Sequence, residues 1–412
     1  MERFREHWRH LTVDRGRIVL VTMGVVWGVL SLSIVLGFGT GFEQAMSQAT
    51  ENSGVDMLRL WSGATTRPWQ GRTAGRPIRF TPEDARYLEK AIPDLRGVSV
   101  EYISWSVPIA WGSHSSNVGL HGVDPIYQHI RRFPVQSGGR FLNHLDSLQR
   151  RRVVFLGDEV KERIFGQEKA VGEEIELFGT PFTVVGVLKH KTTISDYEGK
   201  DQFKVLIPAP TFKALRGHRW VSYMLLWLPS LDDDEHILKE TYRILGDRLG
   251  FDPDDKKAIG VMNHVEIHRR VHSIVGSTRV LLLGVTGLGF LVSLVGVANV
   301  MFVMVEERRK EFGIQMALGA RPAVILWDRL VEGILITVGG GLIGVLVGAA
   351  VIAGMNSIPM DAAARSYLGY SQFSVITALG IASLLGFAGC FAGYWPARRA
   401  AAIDPVLVLQ DQ

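Results

Sequence analysis

Three histidines at four-residue spacing are the residues of this sequence best placed for direct chemistry. His264, His268 and His272 would share one face of a helix, where their imidazole nitrogens could together bind a metal ion. The alternative is a solvated polar stripe leading to the apolar segment that begins at Val280. No acidic residue stands at a convincing ligand spacing, so the stripe is the arrangement we expect. We predict no catalytic, cofactor-binding or metal-binding residues.

Four tryptophans raise the separate question of an aromatic cage for a ligand. They are Trp61, Trp69, Trp105 and Trp111, all in the first third of the chain. The alternative is packing in a core or an interface, where large aromatic side chains are common. We expect packing.

Several kinds of chemistry lack their usual sequence support. The Walker A pattern, GxxxxGK followed by Ser or Thr, is missing, and so are CxxC and HExxH. The formal net charge of +4 is small and its basic residues are scattered, which argues against a nucleic-acid surface. The single cysteine, Cys390, cannot form an intramolecular disulfide. We therefore expect no ATPase activity in this chain and no nucleic-acid partner.

Long apolar stretches determine the architecture around these residues. A bilayer-spanning helix needs about 20 mostly apolar residues, because lipid offers the backbone no hydrogen-bond partners. Four stretches qualify, each without an acidic or basic side chain: residues 18–38, 280–305, 334–355 and 375–395. The sequence therefore predicts four transmembrane helices.

Arginine and lysine residues in the flanks of these stretches predict the orientation, since cytoplasmic ends carry the excess. Basic residues concentrate before the first stretch, after the second and after the fourth: Arg3, Arg5, Arg9, Arg15, Arg17, Arg308, Arg309, Lys310, Arg321, Arg329, Arg398 and Arg399. The segments 1–17, 306–333 and 396–412 are then cytoplasmic, including both termini. The short loop 356–374 and the long insert 39–279 lie outside the cytoplasm.

The insert has the short alternating runs of a mixed α+β domain. Thr81, followed by proline and two acidic residues, is typical of an N-cap and predicts a helix to about residue 92. A second helix is expected at 233–249. Strands are predicted at 56–61, 98–103, 153–156, 183–188 and 223–228.

Glycines at four-residue spacing line the apolar stretches and would let helices approach closely in lipid. They are Gly24, Gly28, Gly340, Gly344, Gly348, Gly389 and Gly393. Packing within one bundle and packing between subunits explain this spacing equally well.

The segment EERRKEFGIQMALGARP at residues 306–322 closely resembles the ERxxEIGxxxALGA signature of MacB-like and FtsX-like ABC permeases. Phe312 replaces the usual isoleucine, and Gln315 stands where arginine is common. The matching residues are Glu307, Arg308, Glu311, Gly313, Ala317, Leu318, Gly319 and Ala320. Similar segments occur in family order elsewhere: GFEQAM after the first stretch, VVFLGDEVKERIFG, VGEEIELFGTPFTVVGVLK, and the closing PARRAAAIDPVLVL.

The resemblance implies a fold and a location. The outer insert would consist of a porter-like lobe, at about residues 55–114 and 203–265, and an inserted second lobe at about 118–192. The first two transmembrane helices would extend outward as a stalk. The chain would reside in the bacterial inner membrane as one subunit of a mechanotransmission ABC transporter.

The resemblance also implies partners and a docking site. Two copies of a separate ABC ATPase would carry ATP and Mg²⁺, and a second permease, identical or paralogous, would complete the transporter. A short helix at residues 310–318 would dock in the ATPase, where small Gly313 would permit close approach. The apolar side chains available for that contact are Phe312, Ile314, Met316 and Leu318.

Three functions fit this frame. The leading one is export of a periplasmic or outer-leaflet substrate together with an adaptor or exit duct. A second is release of lipoproteins to a carrier, as in Lol-type permeases. A third is FtsX-like control of a cell-wall hydrolase without transport.

Overall fold

A computed structural model describes residues 15–193, 196–359, 369–371 and 375–401. Most of the predicted N-terminal segment, much of the loop 356–374 and the tail after residue 401 lie outside the described residues. The chain forms two compact units. The outer unit is Met46–Ser273, and the membrane unit contains Ile274 onward together with the residues up to Ala45.

The described helices and strands follow one another in a helical, then mixed, then helical order. The α-helices are α1 (Arg15–Asn52), α2 (Pro82–Ala91), α3 (Tyr127–Ile130), α4 (His144–Leu148), α5 (Asp158–Phe165), α6 (Ala209–Arg216), α7 (Asp234–Leu249), α8 (His264–Glu307), α9 (Arg309–Ala317), α10 (Pro322–Ser357) and α11 (Val375–Ala401). The strands are β1 (Met57–Ser62), β2 (Gly97–Trp111), β3 (His114–Val123), β4 (Val153–Leu156), β5 (Glu174–Leu177), β6 (Thr180–Val187), β7 (Lys204–Pro208), β8 (Tyr223–Trp227) and β9 (Ile259–Asn263).

Three helices in the described part of the chain, α1, α8 and α10, are long and apolar enough to cross a membrane. The predicted fourth span at 375–395 falls within α11, many of whose side chains lie outside the described residues. Helix α8 has 44 residues. At 1.5 Å per residue it is about 66 Å long, roughly twice the hydrocarbon thickness of a bilayer. It therefore reaches well beyond its apolar stretch.

The glycines of α10 answer the question that their spacing left open. A Cβ added to Gly344 would lie 2.8 Å from Val29 Cβ and 2.9 Å from the Val26 carbonyl oxygen, both on α1. Gly340 and Gly348 likewise face α1. These glycines serve packing within one chain, because only a hydrogen side chain lets the two helix backbones come this close.

The outer unit is built on one sheet of nine strands in the order β3-β7-β4-β6-β5-β2-β8-β1-β9. Strand β2 also pairs with β3, which closes β2, β3, β7, β4, β6 and β5 into a ring. The first part of β2 pairs with β8, and its last part pairs with β5. A register shift between Ser104 and Val107 separates the two parts. One long strand thus joins the ring to the other three strands of the sheet, β8, β1 and β9.

The strands predicted from the sequence are all present, although β2 extends much further than 98–103 and β6 starts earlier than 183. Strands β3, β5, β7 and β9 were not predicted. Strand β3, HSSNVGLHGV, begins with polar residues that hide its alternation. Helix α2 begins after Thr81 with a capping box to Asp84, as predicted, and α7 matches the second expected helix.

Two buried apolar clusters fill the outer unit. The larger contains Leu60, Phe80 and Phe182, and the smaller contains Phe133, Phe141 and Phe155. Alternating residues of the same strands point into different clusters: Val154 and Leu156 into the larger, Phe155 into the smaller. The division into a porter-like lobe and an inserted lobe stays a prediction.

Candidate functional site

Residues 307–320, here called the docking segment after the role predicted for them, contain a short helix between two long ones. Glu307 ends α8, and Arg308 occupies the N-cap position of α9. Helix α9 ends at Ala317, slightly earlier than predicted. Gly319 has φ +94°, a conformation that favours glycine, and its N–H donates to the Met316 carbonyl oxygen at 3.0 Å. Pro322 then starts α10, so the sequence ALGARP encodes a helix stop followed by a helix start.

The side chains of the docking segment divide between an inner and an outer face. Phe312 is 3% exposed and packs with Val305 and Ile325. Gly313 is also buried. The expectation that all four apolar side chains are available to a partner is therefore wrong for Phe312, which stabilises the turn between α8 and α10.

The outer face keeps two apolar side chains in solvent. Ile314 is 49% exposed and Leu318 is 83% exposed. Among the other predicted site residues, Glu307, Glu311, Ala317 and Gly319 are exposed, whereas Arg308 and Ala320 are half-buried. Two further exposed apolar residues, Val324 and Trp327, lie in the first turns of α10 and were not predicted from the sequence. Their i, i+3 spacing after Pro322, which places them on one helix face, was the available signal.

The three histidines lie in different surroundings. His264 is buried, and its ring lies 6.4 Å from the ring of Tyr197. The rings of His268 and His272 are 4.3 Å apart. Within the described ranges, no group of three His, Cys, Asp or Glu residues could hold a metal ion. The predicted solvated stripe is correct for His272 but wrong for His264.

Two of the four tryptophans pack against other aromatic side chains. Trp111 lies 4.4 Å from the ring of Phe165, and Trp61 contacts Tyr223 edge to face. Trp105 differs from the expected packing because it is largely exposed. Its ring lies 6.4 Å from that of His121 and covers this buried histidine.

A buried group of four charged residues is the most unusual feature of the outer unit. We call Arg131, Lys191, Asp201 and Lys204 the Asp201 cluster. Arg131 donates from Nη2 to both carboxylate oxygens of Asp201, at 3.1 and 3.0 Å. The Nζ atoms of Lys191 and Lys204 each lie 2.9 Å from that carboxylate. One carboxylate thus faces three cations away from water.

Aromatic and acidic side chains surround the cluster. The Tyr197 ring lies 4.5 Å from Lys204 Nζ and 4.6 Å from Arg131 Cζ. Its hydroxyl donates to Glu101 Oε2 at 2.9 Å. The other oxygen of Glu101 lies 2.8 Å from Nδ1 of the buried His121. Cation–π contacts and hydrogen bonds therefore offset part of the cost of burying this much charge.

The charge balance within the cluster shifts its pKa values. Burial opposes ionisation of Asp201, but the positive charges of Arg131, Lys191 and Lys204 outweigh it and hold the pKa of that carboxyl well below its usual range. Burial lowers the pKa of Lys191 to about 8, with the Asp201 carboxylate opposing that shift. Asp201 is therefore the charge that keeps Lys191 protonated at neutral pH.

Sequence reasoning did not find this cluster. Its residues come from the end of α3, a loop, a 3-10 turn and the start of β7. Only Asp201 and Lys204 are close in sequence, and an Asp-x-x-Lys pair is common on protein surfaces. No local pattern marks these four side chains as buried or adjacent.

Two protein families match this chain in succession. Residues 18–240 match the family described as "MacB-like periplasmic core domain". Residues 283–402 match the family described as "FtsX-like permease C-terminal". The first match covers α1 and most of the outer unit, and the second covers the docking segment and the helices around it.

Individual proteins are also similar to this chain. The macrolide export ATP-binding/permease protein MacB of Wolinella succinogenes is 27% identical over 414 residues, which cover 100% of this chain and 61% of that protein. The uncharacterized ABC transporter permease YknZ of Bacillus subtilis is 25% identical over 413 residues, which cover 100% of this chain and 99% of YknZ. The crystal structure of the periplasmic region of MacB from Actinobacillus actinomycetemcomitans aligns with a TM-score of 0.43 and 18% identity, over 55% of this chain and 97% of that one.

Proposed function

Since this chain belongs to the family of ABC transporter permeases that combine a MacB-like periplasmic core domain with an FtsX-like permease domain, we propose that it converts ATP hydrolysis on a partner into motion of its outer unit. It is a membrane permease with an extracytoplasmic domain, and permeases of this kind work with ABC ATPase partners. The proposal concerns how ATP hydrolysis on the partner is coupled to motion of the outer unit.

The observation that carries this proposal is the exposed apolar face of α9. Ile314 and Leu318 lie in solvent beside the charged Glu311, while Phe312 fixes the helix to its neighbours from the other side. An isolated apolar pair rimmed by charge on a short, rigidly held helix is suited to a groove on a partner protein. Val324 and Trp327 add apolar surface a few residues later.

Motion at the docking segment would pass along α8. This helix is continuous from His264 in the outer unit to Glu307, the first residue of the docking segment. A helix whose backbone hydrogen bonds are all internal behaves as a stiff rod over this length. We propose an assembly of two permease subunits, identical or paralogous, with two ATPase copies that hold ATP and Mg²⁺. Both termini of the chain and the docking segment would be cytoplasmic.

Work done outside the membrane fits the composition of the apolar stretches. None of the four contains Asp, Glu, Lys or Arg, whereas pathways for ions and polar substrates usually need such groups within the membrane. We therefore propose export of a periplasmic or outer-leaflet substrate, driven by the outer unit, from the inner membrane of a bacterium. Identification of the proteins that co-purify in mild detergent would distinguish an adaptor from a lipoprotein carrier or a hydrolase.

Replacing Leu318 by glutamate tests the docking site. The charge would stand where an apolar contact is expected, so ATPase binding should weaken by about 2 kcal/mol, roughly thirtyfold in Kd. ATPase retention on the affinity-purified permease gives the measurement. Leu148→Glu is the matched control, because Leu148 is also a highly exposed leucine but lies in the outer unit. If Leu318→Glu retains as much ATPase as the control, the docking site is elsewhere.

A further inference from the structure

The outer end of α1 is held by two cations of the Asp201 cluster. Arg131 Nη1 donates to the Ser53 carbonyl oxygen at 2.7 Å, and Lys191 Nζ donates to the Asn52 carbonyl oxygen at 3.2 Å. The last carbonyl groups of a helix lack partners within the helix and carry partial negative charge. The two cations therefore bind α1 at the point where its own hydrogen bonding stops.

The backbone at this point also fits closely against the outer unit. The side-chain amide of Asn52 donates to the Thr192 carbonyl oxygen at 3.3 Å. A Cβ added to Gly54 would collide with the carbonyl oxygen of Ile130, the residue before Arg131. The residues that follow α1 thus contact the neighbours of Arg131 and Lys191 along the chain. These contacts do not depend on the charges of the two cations.

The cluster also reaches the outer end of α8. Tyr197, whose ring contacts Arg131 and Lys204, lies next to the buried ring of His264, the first residue of α8. Both helices that leave the outer unit for the membrane unit therefore begin or end beside one buried group of charges. Within the described residues, Asp201 is the carboxylate that neutralises its three cations.

We propose that Asp201 is a positioning residue for force transmission: it holds Arg131 and Lys191 on the end of α1, so that movement of this helix carries the outer unit with it. This inference rests on the proposed function. Without the Asp201 carboxylate, three buried cations would repel one another, and Lys191 would give up its proton. A neutral amine has one N–H donor fewer for the carbonyl oxygens of Asn52, Arg131 and Arg132, which Lys191 now contacts.

A structural role alone would be served better by other residues. Well-packed apolar side chains usually stabilise a core at least as well as a buried ion cluster of the same volume. Ionic contacts differ in that they are directional and bind defined backbone atoms at the helix end. Loss of the ionic contacts should therefore raise amide hydrogen exchange at the outer end of α1, whereas a general loss of stability would raise exchange throughout the outer unit.

The test compares Asp201→Asn with the wild type as full-length permease in nanodiscs with its co-purifying ATPase. Amide hydrogen exchange over residues 46–54 should become roughly a hundredfold faster, because breaking a buried ion pair frees the helix end. ATP hydrolysis should persist, since the docking segment is unchanged. The change in outer-unit exchange on adding ATP, Mg²⁺ and vanadate should be lost.

Asp146→Asn is the matched control. Asp146 is fully buried and paired with Arg140 at 2.6 Å, but it contacts residues 140, 143 and 151 in another part of the outer unit. This variant should keep wild-type exchange over residues 46–54 and keep the ATP-dependent change. An equal rise in exchange in both variants would overturn the proposal, and so would wild-type exchange in Asp201→Asn.

A second variant covers the case in which Asp201→Asn does not fold, as judged by exchange in β4. Lys191→Met leaves Asp201 paired with Arg131 and Lys204, and it should raise exchange over residues 46–54 by about tenfold. No rise in a folded Lys191→Met variant would contradict the proposal. If amide exchange in the outer unit of the wild type does not change on adding ATP, the proposed function is wrong. The comparison of wild type and variants without ATP still decides whether the Asp201 cluster holds the end of α1.

Discussion

Single buried charges in the outer unit bind backbone carbonyl oxygens. Lys191 is an example, since its ammonium group joins Asp201 to the carbonyl oxygens of Asn52 and Arg131. Keeping that group protonated costs free energy, because burial lowers its pKa to about 8 from an ordinary value of 10.5. At this position the contact to α1 is obtained at the expense of stability.

This cost predicts an unusual pH dependence. Above about pH 8 the folded protein releases the Lys191 proton, whereas the unfolded chain keeps it until about pH 10.5. The destabilisation is therefore fully present below pH 8 and is relieved as pH rises through that value. Between about pH 7 and pH 9, the free energy of unfolding should rise by about 1 kcal/mol more in the wild type than in Lys191→Met.

Urea unfolding of both proteins, followed by exchange in the outer-unit strands, measures this difference. The two variants share every other titrating group, so their difference isolates Lys191. Parallel pH profiles would show that Lys191 keeps its ordinary pKa in the folded protein, because both states would then bind the same number of protons over this range.

Helices of the membrane unit depend on small residues where they cross. Gly344 on α10 meets Val29 and the Val26 carbonyl on α1, and Gly389 on α11 meets Thr337 on α10. Larger side chains at these positions would separate the helices. The hydrophobic effect does not drive helices together in lipid, so their association depends on packing. Close fit is therefore the main source of stability for this bundle.

Gly344→Ile should destabilise the bundle by about 1–3 kcal/mol, the usual cost of overpacking. Gly354→Ile is the control on the same helix, because a Cβ at Gly354 meets nothing within 4 Å. Thermal denaturation in detergent, read by size-exclusion chromatography, should show a lower midpoint for the first variant only. Equal midpoints would mean that α1 and α10 do not pack through this face.

At the scale of the whole molecule, the proposed function predicts that the docking segment and the outer unit lie on opposite sides of the membrane. In a Cys390→Ser background, cysteines at Ser113 and Ser230, both exposed in the outer unit, should react with a membrane-impermeant thiol reagent in intact spheroplasts. A cysteine at the exposed Ala323, directly after the docking segment, should react only after lysis. If only the Ala323 site is labelled in intact spheroplasts, the predicted orientation is wrong.

The sequence by itself determined the features that local chemistry controls. Apolar runs of bilayer length gave the long helices, because backbone groups in lipid must bond within their own helix. Thr81 and the ALGARP turn marked helix boundaries, since caps and left-handed glycines act over a few residues. The family resemblance rested on the same docking segment, and the family matches confirmed it.

Only the tertiary structure decided which side chains of these elements face inward. Phe312 and Ile314 look equally available in sequence, but Val305 and Ile325 cover the first and leave the second in solvent. The Asp201 cluster joins Arg131, Lys191 and the end of α1, which are far apart along the chain. A charged residue is usually solvated, so its type alone cannot predict burial. These charges meet through contacts between distant segments, including those to the end of α1, that no local pattern encodes.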